Sequence, residues 1–186
     1  REFYRGHRCE TPYFPRIAEE FLNYLENERA DLPGDPPFMR ELAHYEWVEL
    51  ALLIADDPEP PSALDPDADL LRHPPVLSPL AWRLAYRYPV QQIRADQLPD
   101  SEPAQVTTLV AYRNREDKVS FLETSPVVDR LLVLIGEQPN LNGQQLLEQI
   151  AAELNHPEVD QVVAAGAAAL RRLLDLEIVL GGRVPG

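Results

Sequence analysis

TTLVAYRNREDKVSFLETSPVVDRLLVLI, residues 107–135, is the stretch that decides the fold of the second half of this chain. Its first eight residues are rich in β-branched and aromatic side chains, and KVSFLET then alternates, with Val119 and Phe121 on one face of a predicted strand. The polar residues NREDK between the two predict a hairpin connection. Ser125, followed by a proline, predicts a helix N-cap with proline in the first turn. The stretch therefore predicts a β-hairpin that leads directly into a helix.

The elements on either side of this stretch complete a small domain. YPVQQIRA (residues 88–95) predicts a strand ahead of the hairpin, and NGQQLLEQIAAEL predicts a helix in which Asn142 and Gln145 form a capping box. VDQVVAAGAAALRRLLDLEIVLGG predicts a last helix that closes at the two glycines, residues 181–182. Residues 80–186 therefore predict a β-β-β-α-α-α domain in which KVSFLET is the edge strand of a three-stranded antiparallel sheet.

Proline separates this domain from the residues before it. Seven of the 19 prolines fall in PEPPSALDPDADLLRHPPVLSP, residues 58–79. Because proline lacks an amide donor and restricts the residue before it, this stretch cannot form a continuous helix or a central strand. We interpret residues 58–79 as an inter-domain connection with a short helical turn at residues 68–72.

The first 57 residues are helical in pattern. PRIAEEFLNYLENE places apolar residues along one side of a helix, and PPFMRELAHYEWVELALLIAD begins after two prolines and ends at two aspartates. Since the sequence from Arg1 onward is typical of the middle of a protein, we expect residues 1–57 to be the C-terminal part of a larger helical domain. The predicted fold class is α+β: an all-helical N-terminal domain, followed by a small winged-helix-like domain with a three-stranded antiparallel sheet and three helices.

RELAHYEWVELAL, residues 40–52, is the part of the first domain with the most chemically active side chains. Its apolar residues fall all around the helix axis, which is typical of a buried helix. Glu46 and Glu49 would then need partners, because a buried carboxylate is costly unless it is paired. WRLAYRY supplies Arg83 and Arg87 four positions apart, so one face of a predicted helix could present both partners.

Catalysis and a protein interface are the alternatives to core packing for this segment. His44 has no second histidine at metal-ligand spacing, and the isolated pair His7 and Cys9 is no nucleophile signature. We therefore predict no catalytic residue, no metal site and no cofactor. Tyr45 and Trp47 are candidates for a partner interface, where aromatic side chains are common anchors.

Charge and composition argue against several classes of function. The chain has 17 basic and 31 acidic residues, and its net charge of −14 repels phosphate backbones and anionic membranes. No apolar run approaches the roughly 20 residues that a membrane span needs. The single cysteine excludes a disulfide within the chain. We expect a cytoplasmic protein that does not act at a membrane.

The winged-helix interpretation makes DNA binding an alternative function. The wing would be YRNREDKV, whose basic residues Arg113, Arg115 and Lys118 are opposed by two acids, and the helix in the recognition position contains no lysine or arginine. From Tyr88 to the end of the chain there are 8 basic and 14 acidic residues. We do not expect these residues to bind DNA. A DNA-binding transcriptional regulator, acting through further N-terminal helices, stays open as the alternative.

Four stretches together resemble one family. FYRGHRCETPYFPRIAEEFLNYL, PPFMRELAHYEWVELAL, YPVQQI and TTLVAYRNREDKVSFLETSPVVDRLLVLI, in this order, resemble the HvfC/BufC family, whose N-terminal region has also been labelled as DNA-binding. The resemblance implies a non-catalytic partner of a TIM-barrel, multinuclear-iron oxidase that modifies a ribosomally made precursor peptide, in a class of products linked to copper binding. Members often have a histidine where this chain has Gln91, so no role of a histidine carries over.

The C-terminal domain also resembles, more loosely, the PqqD-type peptide-recognition element. In that element a leader peptide lies against the third strand and the last helix, and an edge strand can accept an extended peptide by strand addition. The small residues of the last helix permit close approach of a peptide or, equally, of a neighbouring helix. The resemblance predicts peptide-binding residues on the strand and on the last helix: Val119, Ser120, Phe121, Leu122, Glu123, Val163, Gly166 and Leu170.

Overall fold

The computed structural model describes residues 3, 7, 13–30, 32–59, 61, 63–99 and 101–184. The chain divides into two compact units, which we call the helical unit and the sheet unit. The helical unit comprises Arg1–Ile54 and Ala85–Thr107, and the sheet unit comprises Ala55–Leu84 and Thr108–Gly186. Residues 58–79, which the sequence presents as a connection, therefore lie inside the sheet unit.

The helical unit contains both of the helices predicted for it. Helix α1 spans Phe14–Asn23 and continues into a π-helical turn, Tyr24–Glu28, and helix α2 spans Met39–Leu53. Residues 88–95 do not form the predicted strand, because Val90–Gln92 forms a 3₁₀ turn there. The valine of this turn is buried, so the apolar side chain is accommodated by a turn instead of a strand.

Helix α2 is not buried on all sides, contrary to the prediction. Val48 and Leu52, which lie one turn apart, are 1% and 0% exposed, whereas Leu53 is 52% exposed. Glu46 and Glu49 are exposed as well. Because α2 packs along one side against α1 and the 3₁₀ turn, the carboxylates on its other side stay in water and need no buried partner.

The strands form two three-stranded sheets. The sheet that we call the hairpin sheet has the order β3-β4-β5 and consists of β3 (Ala81–Tyr86), β4 (Thr107–Arg113) and β5 (Val119–Glu123). The other, the terminal sheet, has the order β1-β6-β2 and consists of β1 (Leu64–Asp65), β2 (Pro75–Leu77) and β6 (Val179–Arg183). The hairpin of β4 and β5 is confirmed. The segment WRLAYRY (residues 82–88) was predicted as a helix, but its first five residues lie in β3. The terminal sheet was not predicted.

Three helices follow the hairpin, as predicted: α3 (Pro126–Glu137), α4 (Gly143–Glu153) and α5 (Val159–Asp175). The Ser125 hydroxyl accepts a hydrogen bond from the Val128 amide, and Asn142 and Gln145 form the predicted capping box. Caps of this kind contribute about 1 kcal/mol each. Side chains from these helices, β4 and β6 meet in one core, which includes Val110, Tyr112, Leu131, Leu134, Leu146, Leu147, Leu170, Leu173, Ile178 and Val179.

The terminal sheet corrects the prediction for the end of the last helix. Helix α5 ends at Asp175, and Glu177 takes a left-handed φ of 59° before β6 begins. Strand β6 then pairs antiparallel with β1 and β2, which both come from the proline-rich residues 58–79. Gly181 has a φ of 148°, and a Cβ there would lie 2.4 Å from the carbonyl oxygen of Asp65. Glycine is therefore needed at position 181 because β1 approaches β6 closely there, and not because a helix ends there.

Candidate functional site

Strand β5, which carries the strand half of the predicted peptide site, is one of the two edge strands of the hairpin sheet. Its register with β4 places Ser120 and Leu122 on one face and Val119, Phe121 and Glu123 on the other. Leu122 packs against the core of the sheet unit. The strand predicted here and its edge position are both confirmed, whereas its burial does not alternate.

The hydrogen bonds at the two ends of the hairpin set the direction of the main-chain groups of β5. The Thr124 amide donates to the Thr108 carbonyl at 3.0 Å, and the Asn114 amide donates to the Lys118 carbonyl at 3.1 Å. Bonded and non-bonded positions alternate along an antiparallel pair. The amide of Val119 is therefore directed away from β4, toward the outer edge of the sheet, where an extended chain could pair with it.

The three predicted residues of the last helix face the interior of the sheet unit. Leu170 is 1% exposed, and Val163 is packed against the core. Gly166 lies against Leu147 of α4, and a Cβ at Gly166 would lie 2.1 Å from a methyl carbon of Leu147. The small residue therefore serves close packing of α4 on α5, which is the alternative that the sequence leaves open. Gly166 and Leu170 are therefore buried, whereas Val163 keeps part of its side chain exposed.

The two arginines of the β4–β5 hairpin are engaged by carboxylates of the same unit. Arg113, whose side chain is 5% exposed, donates from Nη2 to Asp57 at 2.5 Å, and its Nε lies 3.8 Å from Asp117. The amide of Arg115 donates to Glu177 at 2.7 Å, and its Nε lies 3.4 Å from the same carboxylate. Arg113 is buried, and Arg115, although 68% exposed, has Glu177 beside it. The hairpin therefore offers no strong basic surface to phosphate, and the geometry does not favour the DNA-binding alternative.

A cavity of about 520 Å³ lies beside this hairpin, within the sheet unit. Sequence reasoning missed it, although the prolines of residues 58–79 were a signal, since several of them form its wall. Its two arginines face three acids, so the cavity offers no net positive charge to an anionic ligand. Its lining includes Asp57, Pro58, Pro61, Leu64, Pro66, Pro79, Leu80, Arg113, Arg115, Asp117, Glu177 and Leu180.

The predicted interface residues of α2 belong to an aromatic cluster of the helical unit. Nδ1 of His44 lies 2.8 Å from the hydroxyl oxygen of Tyr86, and the ring of Tyr45 meets the Tyr86 ring edge-on at 6.4 Å. The Trp47 ring lies 5.6 Å from the His44 ring. Burial lowers the pKa of His44 and raises the pKa of Tyr86, so it favours the neutral form of both groups. Tyr45 and Trp47 are half-buried, and their rings are held by these neighbours while part of each stays accessible.

Arg83 and Arg87 pair with acids other than the predicted ones. Nε of Arg87 donates to Glu41 at 3.1 Å, and the other oxygen of that carboxylate accepts from the Tyr88 amide at 3.0 Å. Arg83 forms a bidentate pair with Asp129, at 2.6 and 2.8 Å. The prediction was wrong because it assumed a helix. Arg83 lies in β3, whereas Arg87 follows the last residue of that strand, so the two side chains do not share a helix face.

The remaining candidate sites from the sequence are a cysteine, a metal site and a membrane span. Cys9 lies outside the described residues. Among the residues that are described, no group of three or more histidine, cysteine or acidic side chains is placed to hold a metal ion. In the same part of the chain, no helix is both long and apolar enough to cross a membrane.

Comparison with known families identifies the central and C-terminal part of the chain. The family profile of the HvfC C-terminal domain matches residues 78–174, which are 97 of the 186 residues. The match runs from just before β3 to the last turn of α5, and so contains the hairpin sheet and the packed helices behind it. No curated protein matches the chain.

Proposed function

This chain belongs to the HvfC family, and from that premise we propose that it is a non-catalytic partner subunit that recognises a ribosomally made precursor peptide and presents it to a TIM-barrel, multinuclear-iron oxidase. Family membership is the observation that carries the proposal. In this division of labour the oxidase supplies the iron and the chemistry, and this chain supplies contacts to the peptide and to the enzyme. The product belongs to the copper-binding class, and the complex works in the cytoplasm.

The edge of the hairpin sheet supports the peptide step. Strand β5 is an edge strand, and its Val119 amide is directed away from β4. A precursor peptide of any sequence could add to β5 as a further strand, because this pairing uses main-chain hydrogen bonds. The side chains of the peptide would then lie alternately on the two faces of the sheet. The peptide site in this proposal consists of Val119, Ser120, Phe121, Leu122 and Glu123 and does not include the last helix.

The aromatic cluster of α2 supports the docking step. Tyr45 and Trp47 are half-buried, and their neighbours His44 and Tyr86 restrict their rings before any partner arrives. An aromatic anchor that is already ordered loses little side-chain entropy on binding. We assign contact with the oxidase to this face of the helical unit.

The charge of the chain sets a condition on both partners. With a net charge of −14, the chain attracts basic surfaces from a distance and repels acidic ones. We therefore expect a basic patch on the oxidase or a basic segment in the precursor peptide, and weaker association as salt is added.

Co-expression tests the proposed function. A TIM-barrel iron oxidase and a candidate precursor peptide from the same genome are produced with and without this chain, and the peptide is analysed by mass spectrometry. The expected result is a mass change on the cysteines of the peptide that depends on this chain, and a complex that contains this chain and the oxidase. An equally modified peptide in the absence of this chain excludes the presenting role.

A matched pair of variants locates the docking face. Trp47→Ala is expected to weaken co-purification with the oxidase while the chain still binds the peptide. Tyr13→Ala serves as the control, because Tyr13 is 67% exposed in the same unit and lies outside the aromatic cluster. Equal loss of the oxidase in both variants contradicts the assigned face.

A further inference from the structure

The cavity beside the β4–β5 hairpin has walls that backbone hydrogen bonds hold in place. The Ser78 amide donates to the Ile178 carbonyl at 2.9 Å, and the Arg113 amide donates to the Leu80 carbonyl at 3.0 Å. These bonds tie the residues between β2 and β3 to the residue before β6 and to the end of β4. The volume of about 520 Å³ lies within the range of roughly 300 to 1,000 Å³ that is typical of small-ligand sites. The cavity is therefore preformed and large enough to hold a ligand.

The walls of the cavity suit an aliphatic chain. They include Leu64, Leu80 and Leu180 and the rings of Pro66 and Pro79. Because proline has no amide hydrogen, the two proline positions add apolar surface without adding a donor. Among the lining residues that the structure describes, there is no aromatic ring. The walls therefore offer contact to methylene groups and no face for stacking.

The carboxylates of the cavity have acceptor sites to spare. Nη2 of Arg113 donates to Oδ1 of Asp57, and Nε of Arg113 lies 3.8 Å from Oδ1 of Asp117. The side chains of Asp57 and Asp117 are 78% and 76% exposed, and in the part of the chain that the structure describes Arg113 is the one cation paired with either of them. A carboxylate has about four acceptor sites. Both acids can therefore accept further hydrogen bonds from a cation that enters the cavity.

The net charge of the lining favours a cation as well. Nε of Arg115 lies 3.4 Å from Glu177, which also accepts from the Arg115 amide at 2.7 Å. The two arginines among the described lining residues are set against three acids, Asp57, Asp117 and Glu177, which leaves one negative charge in excess. The net charge of −14 on the chain acts in the same direction. The cavity therefore attracts cations and repels anions.

We propose that this cavity binds the basic side chain, from an arginine or a lysine, of an extended peptide segment. The methylene stem lies along the leucine and proline walls, and the cationic head meets Asp57 and Asp117. Long basic side chains bind in this way because their stem is apolar while their head is charged. Only the assignment of that segment to the precursor peptide rests on the proposed function. None of the described lining residues belongs to β5, so this contact is separate from pairing at the sheet edge.

Nuclear magnetic resonance of the isotope-labelled full chain tests the site by titration with capped pentapeptides. The peptides are acetyl-Gly-Ser-X-Ser-Gly-amide, in which X is arginine, lysine or citrulline, the uncharged isostere of arginine. We expect the arginine and lysine peptides to shift the amide resonances of Leu64, Leu80 and Leu180, with dissociation constants on the order of 1 mM. The citrulline peptide is expected to bind about fivefold more weakly, which is the effect of an exposed ion pair.

The three peptides separate the possible outcomes. Binding of the arginine peptide alone or of the lysine peptide alone supports the site and identifies the head group that it prefers. Equal affinity for the arginine and citrulline peptides overturns the proposal, and so does the absence of shifts at these three leucines with about 10 mM of either basic peptide.

A matched pair of variants locates the cationic head. Asp117→Asn removes one charge at the cavity, and asparagine tolerates the φ of 58° at this position. We expect this variant to bind the arginine peptide about threefold more weakly and the citrulline peptide as the wild-type chain does. Glu116→Gln makes the same change of charge one position earlier, at a residue that does not line the cavity, and is expected to bind both peptides as the wild-type chain does.

Circular dichroism checks that both variants fold. Equal weakening in the two variants contradicts the assigned position of the head. The titration uses neither the oxidase nor the precursor peptide, so its failure leaves the co-expression result unaffected. Conversely, a precursor peptide that is modified without this chain leaves the titration unaffected.

Discussion

The two sheets of the sheet unit are built in different ways. In the hairpin sheet, β4 and β5 are neighbours along the chain, joined by the short turn at residues 114–118. In the terminal sheet, the central strand β6 pairs with β2 although Leu77 and Val179 are 102 positions apart. Local pairing follows from alternation and turn residues, which one stretch of sequence contains. Pairing between distant strands depends on a close approach of their backbones at a few positions. In the sequence alone, β1 and β2 have the pattern of a linker, and β6 has the pattern of a helix end.

The largest effect on stability is expected from a substitution that disrupts the terminal sheet alone. Gly181→Ala places a Cβ 2.4 Å from the Asp65 carbonyl oxygen at a φ of 148°, and we expect a loss of about 3 kcal/mol in the free energy of unfolding. Urea unfolding followed by circular dichroism measures it. Gly136→Ala is the control, since a Cβ at Gly136 meets no atom within 4 Å and a helical alanine is favoured by about 1 kcal/mol. Equal losses in the two variants would mean that β6 does not approach β1 as described.

The second prediction concerns a substitution at the edge of the hairpin sheet that is expected to leave the fold of the sheet intact. Val119 is the first residue of an edge strand, a position that tolerates proline. Val119→Pro removes an amide directed outward, and we expect the affinity for the precursor peptide to fall about tenfold, or about 1.4 kcal/mol. Val119→Thr keeps the amide and the branched side chain and serves as the control in isothermal titration calorimetry. Equal affinities in the two folded variants contradict peptide pairing at β5.

The third prediction concerns the junction between the hairpin sheet and α3. Ser125→Ala removes the side chain that accepts from the Val128 amide, and we expect a loss of about 1 kcal/mol in the free energy of unfolding. Ser101→Ala, at an exposed residue outside regular structure, is expected to change stability by less than about 0.5 kcal/mol. If the Ser125→Ala chain is as stable as the Ser101→Ala chain, the Ser125 cap does not stabilise this junction.

The smallest effect on stability is expected for an ion pair between two of the helices that pack on the core shared by both sheets. Arg130 of α3 holds Glu153 of α4 with bonds of 2.8 and 2.7 Å, and this contact lowers the pKa of Glu153 from 4.5 to about 2. A lowered pKa stabilises the fold above 4.5, and this contribution is lost as the pH falls toward 2. The pair is surface-exposed, so water and salt weaken it.

The measurement is a comparison of urea midpoints for the wild-type chain and Arg130→Gln across that pH range. We expect the wild-type chain to be slightly more stable at pH 5, the difference to close as the pH falls to 2, and added salt to narrow it. A difference that is constant with pH would mean that the variant acts through packing and not through the charge of Glu153.

The parts of the fold that the sequence predicts are those with local causes. Ser125 and the pair Asn142 and Gln145 are capping residues whose partners lie three positions away, so their hydrogen bonds follow from sequence alone. Strand β2 is the opposite case. Pro75 excludes a central strand, but it begins an edge strand, where its missing amide is not needed. The left-handed φ of Glu177, which ends the last helix, has no signal in its side chain.

The candidate site divides in the same way. The edge position of β5 could be predicted, because β5 is the last strand of an antiparallel meander, although the first strand of that meander is Ala81–Tyr86 and not the predicted residues 88–95. The inward direction of Gly166 and Leu170 could not, because small residues on a helix suit a peptide and a second helix equally well, and Leu147 decides between them. The prolines of residues 58–79 were a signal for the cavity, but its shape could not be predicted, since its walls come from segments far apart in the sequence.

The terminal sheet also has a consequence for the synthesis of the protein. Strands β1 and β2 are translated about 100 residues before β6, and at roughly 5 to 20 residues per second the nascent chain carries them without their central strand for about 5 to 20 s. Unpaired strands in that interval can associate with other nascent chains. Pro74 and Pro75 lack the amides that such association needs. The prolines around β2 would therefore act as protection against aggregation on the ribosome until residues 179–183 arrive.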